Sequence, residues 1–256
     1  MSSRSNARKS LLCGILALWI VLLAASGCAL AANCGGGTAG PALRILFIGN
    51  SYTYTNDLPG MFARLACAGG HKVETDMIAE GGWTMVDHVN STSTQAKIKE
   101  QKWDLVVLQE QSEIPAIEST RGKTMYPAVR VLVSRIRDVG AQPMLFMTWA
   151  YRDGLSGPTN LSFEAMQNQL YWGYVRIANE LNIPYAPVGI AWKRARSQAN
   201  PLDLWQSDGS HPNQQGTYLA ACVFYQAIFH QSPQGLSFTA GLPKETAKTL
   251  QALASQ

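Results

Sequence analysis

Two short stretches of the chain carry the residue types that acyl transfer uses. The first, Leu43 to Thr53, reads Leu-Arg-Ile-Leu-Phe-Ile-Gly-Asn-Ser-Tyr-Thr and sets Ser51 behind a Gly-Asn pair. The second, Asp208-Gly209-Ser210-His211-Pro212-Asn213, sets an acid three residues ahead of an imidazole. A serine hydroxyl is a weak nucleophile until a base takes its proton, and the base works best when an acid orients it. Asp208 and His211 supply both from one loop, with Pro212 stiffening the exit. Taken singly, each stretch also reads as an ordinary turn rich in Gly, Asn and Ser.

The elements that must position these residues follow from hydrophobic patterning. Arg44 to Ile48 is a short apolar run closed by Gly49-Asn50, the pattern of a strand buried on both faces of a parallel sheet. Ser51 then stands where open parallel sheets place their ligands, with its backbone N–H free to face an anion. Further strands are expected at Val73 to Ala79, Asp104 to Leu108, Pro143 to Thr148 and Ile183 to Val188. Helical periodicity marks Asp57 to Ala68, Thr94 to Gln101, Tyr126 to Val139, Phe163 to Leu181, Gly189 to Gln198, Gln214 to Phe229 and Lys244 to Ala254. Alternation of this kind predicts one parallel sheet with helices on both faces.

The first residues read as an export signal. Arg4, Arg8 and Lys9 precede the uncharged apolar stretch Leu11 to Ala25, which at about 15 residues is short for a bilayer span and right for a signal peptide. Ala25-Ser26-Gly27-Cys28 resembles a lipoprotein cleavage box that would attach the chain to a membrane through Cys28. Ala29-Leu30-Ala31 offers an ordinary cleavage site instead. The expected organisation is a signal peptide over residues 1–27, a Gly-rich linker over 28–42 and one domain over 43–256. Removing the signal lowers the formal net charge from +4 to +1, so the basic balance is no argument for nucleic acid. Cys67 and Cys222 fall within apolar helical patterns and read as core thiols. No Cys-x-x-Cys or His/Cys cluster suggests a metal, and no phosphate-binding glycine loop suggests a nucleotide, so no cofactor is expected.

In chain order, Gly49-Asn50-Ser51 after the first strand, Gly81-Gly82 after the second, a polar residue after the third and Asp208-x-x-His211 before the last long helix resemble the SGNH/GDSL hydrolase superfamily, in its bacterial Gly-Asn-Ser groups. The resemblance covers nearly the whole mature chain. It implies a three-layer α/β/α sandwich with a five-stranded parallel sheet, flavodoxin-like, and an active site at the C-terminal strand ends. It implies Ser51 as nucleophile, His211 as general base and then acid, and Asp208 as the group orienting His211. The oxyanion hole would use the N–H of Ser51 and that of Gly82, with Gly81 as the alternative. The family's usual Gly-x-Asn-Asp is replaced here by Gln109-Glu110-Gln111-Ser112. Gln111 takes the asparagine's place by count from the strand, and Gln109, on the same side of the strand, is the alternative.

These expectations amount to a serine esterase of small acyl esters outside the cytoplasm, with an acetylated carbohydrate as favoured substrate and Trp83 and Trp149 stacking on the sugar. A periplasmic polysaccharide O-acetyltransferase would use the same triad, and a non-catalytic carbohydrate-binding lipoprotein would keep only the fold. The loop acids Glu110 and Glu113 read as solvated, and His71, His88 and His230 as structural or solvated.

Overall fold

The computed structural model describes residues 40–255; the expected signal peptide and Cys28 lie outside them. Five strands, β1 (Leu43–Gly49), β2 (Val73–Ala79), β3 (Leu105–Leu108), β4 (Gln142–Phe146) and β5 (Tyr185–Ala186), pair in the order β2-β1-β3-β4-β5. Every pairing is parallel. The chain leaves β1 toward β2 on one side and returns to pair β3 on the other. The crevice beyond the end of β1 is therefore the switch point at which such sheets bind ligands.

Period-two alternation divides the sheet's side chains between two cores. Ile45, Phe47, Leu105, Val107, Met144 and Phe146 face one, and Leu46, Ile48, Val106, Leu108 and Leu145 face the other. A four-residue helix α1 (Ser51–Tyr54) opens directly on the nucleophile candidate, and α2 (Leu58–Ala68) follows it. The first core is covered by α2, and the second by α3 (Met85–Asn90) and α4 (Thr92–Lys99). After β3 come a 3-10 turn (Ile114–Ala116), α5 (Glu118–Lys123) and α6 (Met125–Asp138), the last with Val129, Leu132, Val133 and Ile136 on the second core. Helix α7 (Phe163–Leu181) gives its first half to the first core and its second half to the other. Helices α8 (Val188–Arg196), α9 (Gln214–Phe229) and α10 (Lys244–Ala254) complete the first layer. The three-layer α/β/α expectation is met.

Two local expectations need correction. The fifth strand is two residues, because Pro184 and Pro187 bracket it and neither can donate to a ladder. Cys67 is not a core thiol: it is disulfide-bonded, while Cys222 is free and buried. No helix among the described residues is long and apolar enough to cross a membrane.

Candidate active site

The end of β1 is locked before any chemistry is considered. Gly49 has no room for a side chain, because a Cβ there would collide with Thr53 Oγ1 and Gln109 Oε1. Asn50 caps α1, accepting the Tyr52 N–H at 3.1 Å, and its own N–H donates to Gln109 Oε1 at 2.9 Å. The same Gln109 oxygen accepts from Thr53 Oγ1 at 3.0 Å, and its NH₂ donates to the Glu110 carbonyl. His88 is buried behind the turn, where a carbonyl can only accept. Its Nε2–H therefore donates to Gly49 O at 2.9 Å, and Nδ1 accepts from Thr94 Oγ1 at 2.9 Å. Burial pushes this imidazole below its ordinary value, so the ring is neutral and structural. Ser51 comes next, at the first helical position, with an N–H that the helix does not consume.

The Asp208–His211 loop is held against Ser51 from several sides. Gly209 takes a positive φ of 69°, and Asp208 Oδ1 accepts the N–H groups of Ser210 (2.9 Å) and His211 (3.0 Å). Behind the loop, Tyr52 stacks on Trp149 at 4.5 Å, and Trp149 on Trp192 at 4.0 Å. From this stack Tyr52 Oη meets Ser210 Oγ at 2.8 Å and the Trp149 indole N–H donates to Ser210 O at 3.0 Å. Burial pushes the Tyr52 phenol well above its ordinary value, which keeps it a neutral hydrogen-bonding group. The Arg152 N–H donates to Gly209 O at 2.8 Å, and the Gln206 N–H to His211 O at 2.8 Å.

So held, His211 bridges the other two residues. Its Nδ1 lies 2.6 Å from Asp208 Oδ2 and its Nε2 lies 2.8 Å from Ser51 Oγ. A carboxylate can only accept, so Nδ1 carries the hydrogen and Nε2 is left to accept the serine proton. Burial would raise the Asp208 carboxyl, but the bonds from Ser210 and His211 outweigh it and hold the group below its ordinary value, ionised beside the imidazole.

The remaining expectations divide. Gly82, at φ 74°, sits in the turn after β2 that Trp83 N–H and Glu80 O close at 3.1 Å. Asn50 Nδ2 donates to Trp83 O at 2.9 Å, which ties this turn to the serine. Gly81 lies beside it, next to the Tyr54 hydroxyl. Gln111 turns its amide carbonyl into the next turn, accepting from the N–H groups of Glu113 (2.9 Å) and Ile114 (3.3 Å). Its NH₂ is thereby fixed the opposite way, with one hydrogen on Ser112 Oγ at 3.2 Å and the second left to give. Gln109 is 1% exposed and bound into the nucleophile turn, so its part is positioning Asn50 and not reaching a substrate oxygen. Trp149 is 0% exposed and cannot stack on a sugar; it is the post behind the histidine loop. Trp83 is half-buried, edge-on to His88. Tyr54, 40% exposed with its hydroxyl beside Gly81, is an exposed aromatic three residues after Ser51 that the sequence did not single out. Its signal was there: α-helical spacing from Ser51 puts residue 54 on the next turn of the same face.

Glu110 also departs from expectation. It is 0% exposed, and its Oε1 accepts the N–H groups of Met85 (3.0 Å) and Gln111 (2.7 Å). Burial pushes the carboxyl up from 4.5 to about 7, against the two N–H bonds that pull it down. The folded protein thus binds the proton more tightly than the unfolded chain. The resulting stability is full below 4.5 and is lost as pH rises through about 7. Urea denaturation at about pH 5 and about pH 8 should show a loss of roughly 3 kcal/mol that Glu110→Gln abolishes.

A family described as a domain of unknown function, DUF4886, matches residues 71–249. A protein from Slackia heliotrinireducens assigned to the SGNH hydrolases is 30% identical, with 73% of this chain and 100% of that one covered and a TM-score of 0.63. The chain belongs to the DUF4886 family of SGNH hydrolases. The DUF4886 span takes in Gly82, Gln111, Asp208 and His211, while Ser51 precedes it and is placed by the geometry. A DUF4886 protein from Bacteroides uniformis shares the fold at 21% identity, covering 84% of this chain and 94% of its own, with a TM-score of 0.70. An acetylxylan esterase from Geobacillus stearothermophilus shares it at 17% identity, 74% and 95% coverage and a TM-score of 0.58. No curated protein matches the sequence.

Proposed function

We propose that this DUF4886 protein is a serine ester hydrolase of short acyl esters, acetyl esters of carbohydrates foremost. The observation that carries the proposal is the unbroken line from Ser51 Oγ through the His211 ring to Asp208. Ser51 Oγ attacks the ester carbonyl as His211 Nε2 takes its proton, and Asp208 steadies the imidazolium. The negative charge gathering on the carbonyl oxygen meets the N–H groups of Ser51 and Gly82 and the Gln111 amide. Collapse of this intermediate returns the proton from His211 to the departing alcohol and leaves Ser51 acylated. Water, deprotonated by the same imidazole, then releases the acid.

Carbohydrate as the alcohol is supported by Trp83 and Tyr54 beside the serine, whose rings suit the apolar face of a sugar, and by the shared fold with an acetylxylan esterase. Action outside the cytoplasm is supported by the disulfide at Cys67, since such bonds persist in oxidising compartments. Purified protein should be offered nitrophenyl acetate, butyrate and octanoate together with acetylated xylan. The reading predicts rates falling with acyl length and release of acetate from the polysaccharide. No hydrolysis of any of these esters would overturn it. Acetyl appearing on an added sugar in preference to water would replace hydrolysis by transfer.

A further inference from the structure

Three loops leave the C-terminal ends of β2, β1 and β3, and each would give one donor to the oxyanion hole. They are joined by side chains into a closed circuit. Asn50 Nδ2 on Trp83 O joins the β1 turn to the β2 loop, and Gln109 Oε1 on the Asn50 N–H joins the β3 end to the β1 turn. The third side is a single atom, Glu110 Oε1, which receives Met85 N–H from the β2 loop and Gln111 N–H from the β3 loop.

We propose that Glu110 is a positioning residue of the oxyanion hole, its carboxyl clamping the backbone behind Gly82 to the backbone that carries the Gln111 amide. The inference rests on the esterase reading and adds to it the group that sets the spacing of two of the donors. Packing alone would not choose this residue. Glu110 Oε2 is buried without a hydrogen-bond partner among the described residues, a cost that a leucine or methionine of similar volume would not carry. What the apolar residue lacks is the acceptor for both N–H groups. Without it the β2 and β3 loops are joined only indirectly, through Asn50 and Gln109 at the β1 turn.

The test compares Glu110→Leu, Glu110→Gln and Met85→Pro with wild type on nitrophenyl acetate. Leucine removes the acceptor. Proline at position 85 removes one N–H from the other side of the clamp, at the first position of α3, where proline is tolerated and where Thr84 already has the extended backbone it requires. Each should lower kcat about 10- to 100-fold with KM within about twofold, because donors displaced by a fraction of an ångström matter most as charge develops. Glu110→Gln keeps the accepting oxygen and should hold kcat within about threefold of wild type. Unchanged kcat in a folded Glu110→Leu or Met85→Pro protein overturns the clamp, and so does a glutamine variant that falls as far as leucine. Amide proton shifts of Met85 and Gln111, read by NMR without substrate, separate this from the esterase reading. Both should move upfield in Glu110→Leu whether or not the protein hydrolyses esters, and shifts that stay in place refute the clamp itself.

Discussion

Ser51→Ala should abolish ester hydrolysis, lowering kcat by about 10⁴-fold or more while the protein stays folded. The side chain removed is one hydroxyl on a half-buried residue, and its partner His211 keeps Asp208 and the loop bonds that place it. The turn itself is held by Asn50, Gln109 and His88 and not by the serine. The melting temperature should therefore change little as the rate collapses. Rates with nitrophenyl acetate and a thermal melt on the same preparation check both halves. A variant keeping a tenth of wild-type activity would remove Ser51 from the mechanism.

Gln111→Ala should lower kcat by about 10²–10³-fold with KM much less affected, the usual cost of one preorganised oxyanion donor. The orientation of this amide is set by its carbonyl, which serves the N–H groups of Glu113 and Ile114, so the direction of its NH₂ is fixed before substrate arrives. Gln109→Ala should behave differently. It strips the buried acceptor from Asn50 N–H and Thr53 Oγ1, and so should destabilise the fold by about 1–3 kcal/mol. Chemical denaturation and steady-state kinetics on both variants distinguish an aimed donor from a turn support. Equal kinetic losses with equal destabilisation would refute the distinction.

What could be read from the sequence is what local periodicity encodes. Val73–Ala79, Phe163–Leu181, Gln214–Phe229 and Lys244–Ala254 were legible to the residue, because each is long or sharply bounded. The 3-10 turn and α5, over residues 114–123, were not. They are too short for a period to show, and Pro115 reads as loop. The site residues Ser51, Asp208 and His211 were legible as types and order, and the fold brings them within hydrogen-bonding distance.

Two of the misreadings share one cause: burial of a side chain that was read as exposed. Glu110 passed for a solvated loop acid because an isolated carboxylate is seldom enclosed, yet two N–H groups from distant loops await it. Trp149 follows a strand end on the active face, where a tryptophan could meet a ligand. The stack between Tyr52 and Trp192 closes over it, and pairing across 97 residues of chain to Tyr52 leaves no local trace. Cys67 lies on an apolar helical pattern, and a disulfide depends on spatial approach that spacing does not encode.

The central claim is that Ser51 carries the acyl group during turnover. The most direct measurement is rapid acid quench of the protein mixed with nitrophenyl acetate, followed by peptide mass spectrometry. The expected result is the mass of one acetyl group on the peptide containing Ser51, absent from Ser51→Ala and accumulating further in a variant whose deacylation is slowed. Hydrolysis at full rate with no acetyl on Ser51, or with the acetyl on another residue, would contradict it.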